Sequence, residues 1–286
     1  MSGNKNLLVT CVYNNLYESS IGGRYGRGIH YTKSLATITK TNQDIVVYTT
    51  EQDKNILLEN ESIRNYDKIR FVIYDLFSDK NHAYYQKRKT ELGETKSDRC
   101  YEIMHNKVIW MNNHVNEGYK NIYWIDAGLS YGALFPSRFR GGEGYEKYFN
   151  NTLFNEKVFK NLERVENKIT IIGGNQSYHA FDGPYSNLFE VPIKSPDRHH
   201  IIGGMFGGDL ESVKVFASRY MDVLNKMIEL NLLEREEQLL TLLYNMYESD
   251  FNMIEFTTWH HEESDMAKYN KPNEKYFYKI FEDLNS

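Results

Sequence analysis

Cysteine, proline and long apolar runs are scarce in this 286-residue chain, which has two cysteines and five prolines. Cys11 and Cys100 are too few for a disulfide framework and lack the paired spacing of a thiolate metal site. No run approaches the roughly 18 apolar residues of a membrane span. The polar segment Met1–Asn6 lacks the apolar core of a signal peptide. We therefore expect a cytoplasmic protein without integral membrane association.

An excess of positive charge is also missing, because 34 Lys and Arg residues stand against 39 Asp and Glu residues, for a net charge of -5. No broad attraction to nucleic acid is expected from this balance. The hydrophobic fraction of 41% and the charged fraction of 26% are ordinary for a globular protein. Tyrosine is abundant, and its ring suits stacking on sugars or bases, although most tyrosines are expected to be structural.

Apolar segments of strand length alternate with helical patterns through the first half of the chain. Strands are predicted at Leu7–Tyr13, Asp44–Thr49, Ile69–Tyr74 and Asn121–Ile125, and helices at Tyr31–Ile38, Lys54–Asn65 and Asp98–Glu117. Such alternation favours a parallel sheet with helices on both faces.

The second half is less regular. It has predicted strands at Ile171–Gly174, Ile201–Gly204 and Phe251–Thr258, and predicted helices at Asp209–Leu233 and Arg235–Tyr247. Without a Pro-rich or Ser-rich linker, one domain of residues 1–286 with two functional halves, 1–130 and 131–286, is the simplest interpretation.

The most informative stretch is the apolar run Asn121–Ile125, which is followed by Asp126 and, two positions later, by Gly128. A carboxylate inside a buried strand carries a large desolvation cost unless it is paired. Asp126 is therefore expected at the carboxyl end of the strand, the edge where open α/β sheets bind ligands. The structural alternative is an Asx turn, in which Asp126 bonds its own backbone.

A glycine-rich segment, Gly22–Gly28, follows the first strand and precedes a helix. Phosphate-binding loops have this placement, and Arg24 and Arg27 would suit an anionic ligand. The segment matches neither the Walker pattern nor G-x-G-x-x-G, so a surface loop is the alternative. Lys107 also has two interpretations. Charged residues on a helix usually belong to its solvated face, but a lysine at this position could instead contact the diphosphate of a ligand.

Three features of the second half are candidates for chemistry. The glycine pairs of Gly203–Asp209 leave a backbone that a ligand can approach closely, whereas Asp209 itself is expected mainly to cap the next helix. Glu236-Glu237-Gln238 opens a helix, where acidic residues complement the macrodipole but could instead face a reacting centre. His260 and His261 are possible metal ligands, of which at most one is expected in a given site.

Taken together, these segments resemble the HtrL/YibB-like (WlaTB-type) family of bacterial glycosyltransferases and, more distantly, glycosyltransferases of the GT-A fold. The matching stretches are Val9–Asn14, Arg99–Lys107, Tyr123–Gly128, Ile202–Gly208 and Glu236–Gln238. Each stretch is short, and their order along most of the chain is more specific than any one of them.

The resemblance implies an α/β protein with a GT-A-like single domain, whose Rossmann-like, mostly parallel central sheet is flanked by helices. Residues 1–130 would bind a nucleotide-sugar, most commonly a UDP-sugar, and residues 131–286 would bind the acceptor and carry catalysis. The acceptor would be a glycan or another hydroxyl, such as that of a protein-linked or lipid-linked saccharide. The implied substrate-binding residues are Tyr13, Asn14, Arg24, Arg27, Arg99, Lys107, Asp126, Gly128, Gly203, Gly204, Gly207, Gly208 and Asp209.

The resemblance also implies a divalent metal, Mn²⁺ or Mg²⁺, on the donor diphosphate. GT-A enzymes commonly hold it with an Asp-x-Asp motif, and Asp126 would take the first position. This chain departs from the motif because Gly128 stands in place of the second Asp. A later histidine, His260 or His261, would then complete the metal ligands.

Glu237 and Gln238 would be the catalytic residues, since they resemble the Asp-Gln pair that some retaining GT-A enzymes carry near the anomeric carbon. Glu236 would then be a solvated or capping residue. An inverting enzyme would use Glu236 or Glu237 as the general base, so the stereochemistry stays open.

Two alternatives to a glycosyltransferase remain. The Gly22–Gly28 loop supports a sugar nucleotidyltransferase, because that class carries a glycine-rich basic loop after its first strand. Gly128 supports a catalytically degenerate carbohydrate-binding protein, because it stands where the motif has its second carboxylate.

Overall fold

The computed structural model describes residues 6–13, 27–91, 100–128, 156–175, 199–232, 236–256 and 284. These residues contain seven strands. They are β1 (Asn6–Val12), β2 (Asp44–Thr49), β3 (Ile69–Ile73), β4 (Asn121–Ile125), β5 (Ile169–Asn175), β6 (His199–Asp209) and β7 (Phe251–Phe256). All seven join in one sheet of order β3-β2-β1-β4-β6-β5-β7.

Eight α-helices accompany the strands in the described ranges. They are α1 (Arg27–Ile38), α2 (Glu51–Glu59), α3 (Glu61–Arg64), α4 (His82–Glu91), α5 (Tyr101–Asn112), α6 (Glu156–Leu162), α7 (Leu210–Glu229) and α8 (Glu236–Met246). Single 3₁₀ turns lie at Thr39–Thr41, Leu76–Ser78 and Glu248–Asp250. Within the described part of the chain, no helix is long and apolar enough to span a membrane.

Strand direction places the candidate site. β1 pairs in parallel with β2 and β4, β2 with β3, and β5 with β7, whereas β6 runs antiparallel to both β4 and β5. Six strands therefore end at the same edge, called here the carboxyl edge, and β6 begins there. The predicted α/β class, with a mostly parallel central sheet flanked by helices, is confirmed.

Apolar side chains cover both faces of the sheet. Along β1, Leu7 and Val9 join the core that packs under α5, α7 and α8, while Leu8 and Val12 join the core under α1 and α6. The alternation follows from the two-residue period of a strand. A strand that is buried on both faces reads as a continuous apolar run, which is why β1 was predictable.

The predicted elements are largely confirmed, with four main differences. The predicted helix Asp98–Glu117 ends at Asn112 as α5. The predicted helix Lys54–Asn65 is two helices, α2 and α3, because the side chain of Asn60 caps the second one by accepting from Ser62 and Ile63 N–H groups. Helices α4 and α6 were not predicted. The predicted strand Ile201–Gly204 continues to Asp209 as β6, so Gly207 and Gly208 lie inside a strand.

Candidate active site

Asp126 lies at the carboxyl edge, one residue after β4, as the cost of burying a carboxylate predicts. Its backbone N–H donates to the Gly204 carbonyl at 2.8 Å. Its side chain is 40% exposed, and Oδ1 accepts from Trp124 Nε1 at 2.7 Å. The carboxylate is thus oriented by other side chains, and it faces the edge of the sheet where a ligand can reach it.

Lys107, on α5, is buried beneath this edge with 4% exposure. Its Nζ lies 2.9 Å from Asp126 Oδ1 and donates to Glu236 Oε1 at 2.8 Å and to the Gly203 carbonyl at 2.9 Å. An ammonium has three N–H donors, and these three acceptors use them. The contact with a donor diphosphate that the sequence suggested for Lys107 does not fit this geometry.

The charge of Lys107 is maintained by its neighbours. Burial by itself would lower the pKa of the ammonium, but the carboxylates of Asp126 and Glu236 outweigh burial and hold that pKa above its ordinary value. The ring of Trp124 adds a cation–π contact, with Nζ 5.5 Å from its centroid. Lys107 therefore stays cationic at any working pH.

Glu236, the first residue of α8, is 6% exposed, so its predicted role as a solvated residue is wrong, and the alternative of a capping role stays a prediction. Its carboxylate packs on Gly203, where a Cβ atom would lie 2.6 Å from Oε1. Burial opposes ionisation, but the Lys107 ammonium overcomes it and lowers the pKa of Glu236. Among the described residues, Oε2 has no hydrogen-bond partner.

Glu237 follows on the same turn and is partly buried. Burial and the negative charge of Glu236 raise its pKa to about 8, while Lys107 and a backbone hydrogen bond from Gly203 act in the opposite direction. A carboxyl with this pKa exchanges its proton near neutral pH. Gln238 is also partly buried, and the catalytic roles of Glu237 and Gln238 stay predictions.

The glycine-rich segment of β6 is divided between the middle of the strand, at Gly203 and Gly204, and its last residues. Gly203 and Gly204 lie at the carboxyl edge, since Met205 pairs with Ile125. Gly208 lies four residues away, about 13 Å along a strand. The antiparallel direction of β6 therefore brings only the first glycine pair to Asp126.

Gly207, Gly208 and Asp209 were predicted to border the substrate, but the structure places them in structural roles. A Cβ atom on Gly207 or on Gly208 would lie 2.3 Å from a backbone carbonyl oxygen of a neighbouring strand or its flank. Asp209 caps α7 by accepting from the Ser212 N–H at 3.0 Å, and it also accepts from the Asn167 N–H at 2.8 Å. The second glycine pair thus allows close strand packing.

Tyr13 was also predicted to bind substrate, but its side chain is 3% exposed. Its hydroxyl donates to the Tyr74 carbonyl at 3.1 Å, and its ring stacks on Trp110 with centroids 6.3 Å apart. Burial raises the pKa of its hydroxyl. Tyr13 therefore belongs to an aromatic cluster in the core beneath the carboxyl edge.

The described residues do not form a metal site by themselves. Among them, no group of three side chains is arranged to bind a metal ion, and Asp126 Oδ1 already accepts from Lys107 and Trp124. A Cβ atom on Gly128 would lie 2.2 Å from the ring of Tyr31, so the place of the missing second carboxylate is filled. A metal would need ligands from elsewhere, and it stays a prediction.

Several predicted site residues lie outside the described residues. These are Asn14, Arg24, Arg99, His260 and His261. Arg27 begins α1, but its side chain is not described. The predicted phosphate loop and the predicted histidine ligand therefore stay predictions.

The sequence did not predict the burial of Glu236 or the contacts that Trp124 makes with Asp126 and Lys107. Glu236 shares its helical face with Leu239, Leu240 and Leu243, all of them buried, and the spacing i, i+3, i+4, i+7 marks one side of a helix. That pattern could have identified a buried carboxylate. Trp124, by contrast, gave no signal beyond its place in an apolar strand.

Comparison with known proteins gives structural likeness only. No family model matches the chain, and no curated protein matches it. The solved structures that resemble it include 4-diphosphocytidyl-2C-methyl-D-erythritol synthase from Anaerococcus prevotii, with 11% identity and a TM-score of 0.41 over 94% of this chain and 97% of that one. Another is mannose-1-phosphate geranyltransferase from Thermus thermophilus, with 10% identity and a TM-score of 0.40 over 88% of this chain and 74% of that one. Likeness at this level assigns no activity, and membership of the HtrL/YibB-like family stays a prediction.

Proposed function

We propose that this protein is a glycosyltransferase that moves a sugar from a nucleotide-sugar, with UDP-sugars as first candidates, to a hydroxyl of a glycan or another acceptor. The observation that carries the proposal is the position of Glu237. Its carboxyl, with a pKa of about 8, adjoins the ion-paired cluster of Lys107, Asp126 and Glu236. This cluster lies at the edge where open α/β sheets bind their ligands.

An acceptor hydroxyl must lose its proton when it attacks the anomeric carbon. A general base is most effective when its pKa lies near the operating pH. A glutamate of ordinary pKa is a weak base at neutral pH, whereas burial beside Glu236 makes Glu237 considerably more basic. Glu237 is therefore the residue to which we assign proton removal from the acceptor.

The leaving nucleoside diphosphate gains negative charge as the glycosidic bond breaks, and positive groups must stabilise that charge. Lys107 is excluded from this task because its three donors are used within the protein. We assign stabilisation of the diphosphate charge to Arg24, Arg27 and Arg99, which the sequence predicts to bind the donor. Asp126, the most exposed carboxylate of the cluster, is assigned to the donor.

A sugar nucleotidyltransferase is the second candidate, and the name of the Anaerococcus prevotii protein is nearer to this class than to glycosyl transfer. In that reaction the nucleophile is a sugar phosphate, which is already anionic at neutral pH because its second pKa is about 6. It needs no general base. A carboxyl as basic as Glu237 would then have no evident task, which is why we place this candidate second.

A catalytically degenerate carbohydrate-binding protein is the third candidate. The ring of Tyr31 fills the place of a second carboxylate at Gly128, as it could in a protein that has lost its metal site. The cluster of Lys107, Asp126 and Glu236 would then serve binding alone.

The test incubates the purified protein with single nucleotide-sugars, with and without Mn²⁺ and without an acceptor. Slow release of nucleoside diphosphate supports a glycosyltransferase, because water acts as a poor acceptor. Pyrophosphate exchange with a nucleoside triphosphate and a sugar phosphate supports the second candidate, and binding without turnover supports the third.

Glu237→Gln should lower diphosphate release by about 10²-fold or more. Glu229→Gln, at the exposed end of α7, is the matched control and should keep the wild-type rate.

A further inference from the structure

We infer that Glu236 is a positioning residue, held by the Lys107 ammonium, that fixes the first turn of α8 against the carboxyl edge of the sheet. In this role Glu236 does not contact substrate and acts through its neighbour Glu237. The inference rests on the proposed function, since proton removal by Glu237 is the step that the positioning serves.

The Lys107 ammonium joins three elements of the fold. It contacts Asp126 after β4, the carbonyl of Gly203 in β6, and Glu236 at the start of α8. These elements are far apart in sequence, because Lys107 and Glu236 are separated by 129 positions. A single buried cation thus sets the distance between the carboxylate at the end of β4 and the first turn of α8.

Close packing and a second hydrogen-bonded link confine the same turn. Glu236 Oε1 occupies the space in which Gly203 would carry a side chain. The Thr241 hydroxyl donates to the Glu237 carbonyl at 2.7 Å and accepts from the Ile201 N–H at 3.2 Å. The backbone of Glu237 is therefore linked through Thr241 to Ile201 of β6, two residues before the Gly203 contact.

Stability alone does not explain this buried charge. The desolvation cost of a buried ion pair often exceeds its Coulombic gain, and an apolar pair of similar volume is frequently as stable or more stable. Glu236 Oε2 also lacks a hydrogen-bond partner among the described residues, which adds to that cost. The carboxylate fixes the orientation of the first turn of α8, which an apolar side chain would not do.

The first experiment measures amide hydrogen exchange in the wild-type protein and in Glu236→Gln, Glu236→Leu and Lys107→Met with Glu236→Leu. We expect exchange in the first turn of α8 and in Ile201–Gly204 to accelerate about tenfold or more, because loss of this contact permits local opening. Helix α2, which lies apart from the cluster, should keep its wild-type rates. Glu236→Gln should have the smallest effect, since its amide oxygen can still accept from Lys107.

The second experiment measures kcat, KM and Tm in the same variants with an active donor. We expect kcat to fall about tenfold in Glu236→Leu and in the double variant, with KM within about twofold of wild type and partial recovery in Glu236→Gln. The double variant should keep a Tm close to wild type. Wild-type exchange rates in Glu236→Leu would overturn the inference, whatever the kcat of that variant.

The two experiments separate failure of the inference from failure of the proposed function. If the wild-type protein turns over no donor, the proposed function fails, and the exchange rates still decide whether Glu236 fixes the turn. If turnover is present and the exchange rates in Glu236→Leu equal those of wild type, the positioning inference fails while the proposed function stands.

Discussion

Replacing Glu237 by Gln is expected to stabilise the folded protein, by an amount that grows with pH. The pKa of Glu237 is raised from its ordinary value of 4.5 to about 8, because the residue is buried beside the charge of Glu236. The folded protein therefore retains a proton that the unfolded chain releases. The stability linked to that proton is fully present below the unfolded pKa and is lost as pH rises through the folded pKa.

The magnitude follows from the two pKa values. They differ by about 3.5 units, and each unit corresponds to about 1.4 kcal/mol. The free energy of unfolding of Glu237→Gln, minus that of wild type, should therefore contain a pH-dependent part near zero at about pH 4. That part should reach about 3 kcal/mol at about pH 7 and approach about 5 kcal/mol above about pH 8. A total stability of roughly 5–15 kcal/mol is typical of a domain, so such a change is readily measured.

The assay is urea denaturation of both proteins at a series of pH values from about 4 to about 9. Taking the difference between variant and wild type removes the other titrating groups that both proteins share. Glu229→Gln, an exposed substitution at the end of α7, should give a difference that does not depend on pH. A pH-independent difference for Glu237→Gln as well would refute the reasoning, because Glu237 would then titrate alike in the folded and unfolded states.

Four further outcomes are expected. The kcat/KM of the wild-type protein should rise with pH and reach half its maximum near the pKa of Glu237, about 8. Glu236→Gln removes a neighbouring negative charge and should therefore shift this rise to lower pH. A pH–rate profile of Glu236→Gln that is not shifted would contradict the prediction. Gly203→Ala should lower the stability by about 1–3 kcal/mol and reduce turnover, because its Cβ would meet Glu236 Oε1, which Lys107 holds in place, at 2.6 Å. In Gly173→Ala the Cβ would instead meet the apolar side chains of Met253 and Ile201, which no ion pair holds. Equal Tm losses in the two variants would count against this difference. Asp126→Asn should abolish turnover and weaken donor binding in calorimetry while the circular dichroism spectrum is retained, and wild-type turnover would remove Asp126 from the site. Calorimetry should find little Mn²⁺ affinity without nucleotide and clear affinity with it, so tight binding to the protein alone would be inconsistent with a site completed by the diphosphate.

Local patterns in the sequence determined much of the fold. The apolar runs of β1, β2 and β4 were predictable because strands that are buried on both faces contain few polar residues. The position of Asp126 at a strand end followed from the cost of burying a carboxylate. The capping role of Asp209 followed from the preference of its side chain for a helix start. Each of these features depends on a residue and its near neighbours in the chain.

Only the tertiary structure decided which of the candidate residues meet. The direction of β6 brought Gly203 rather than Gly208 to Asp126, and strand direction is fixed by pairing with β4 and β5 rather than by the sequence of β6 itself. Likewise, the burial of Glu236 depends on Lys107, 129 positions earlier. A buried charge needs a partner that compensates it, and here no local pattern in the sequence around Glu236 indicates that Lys107 is that partner.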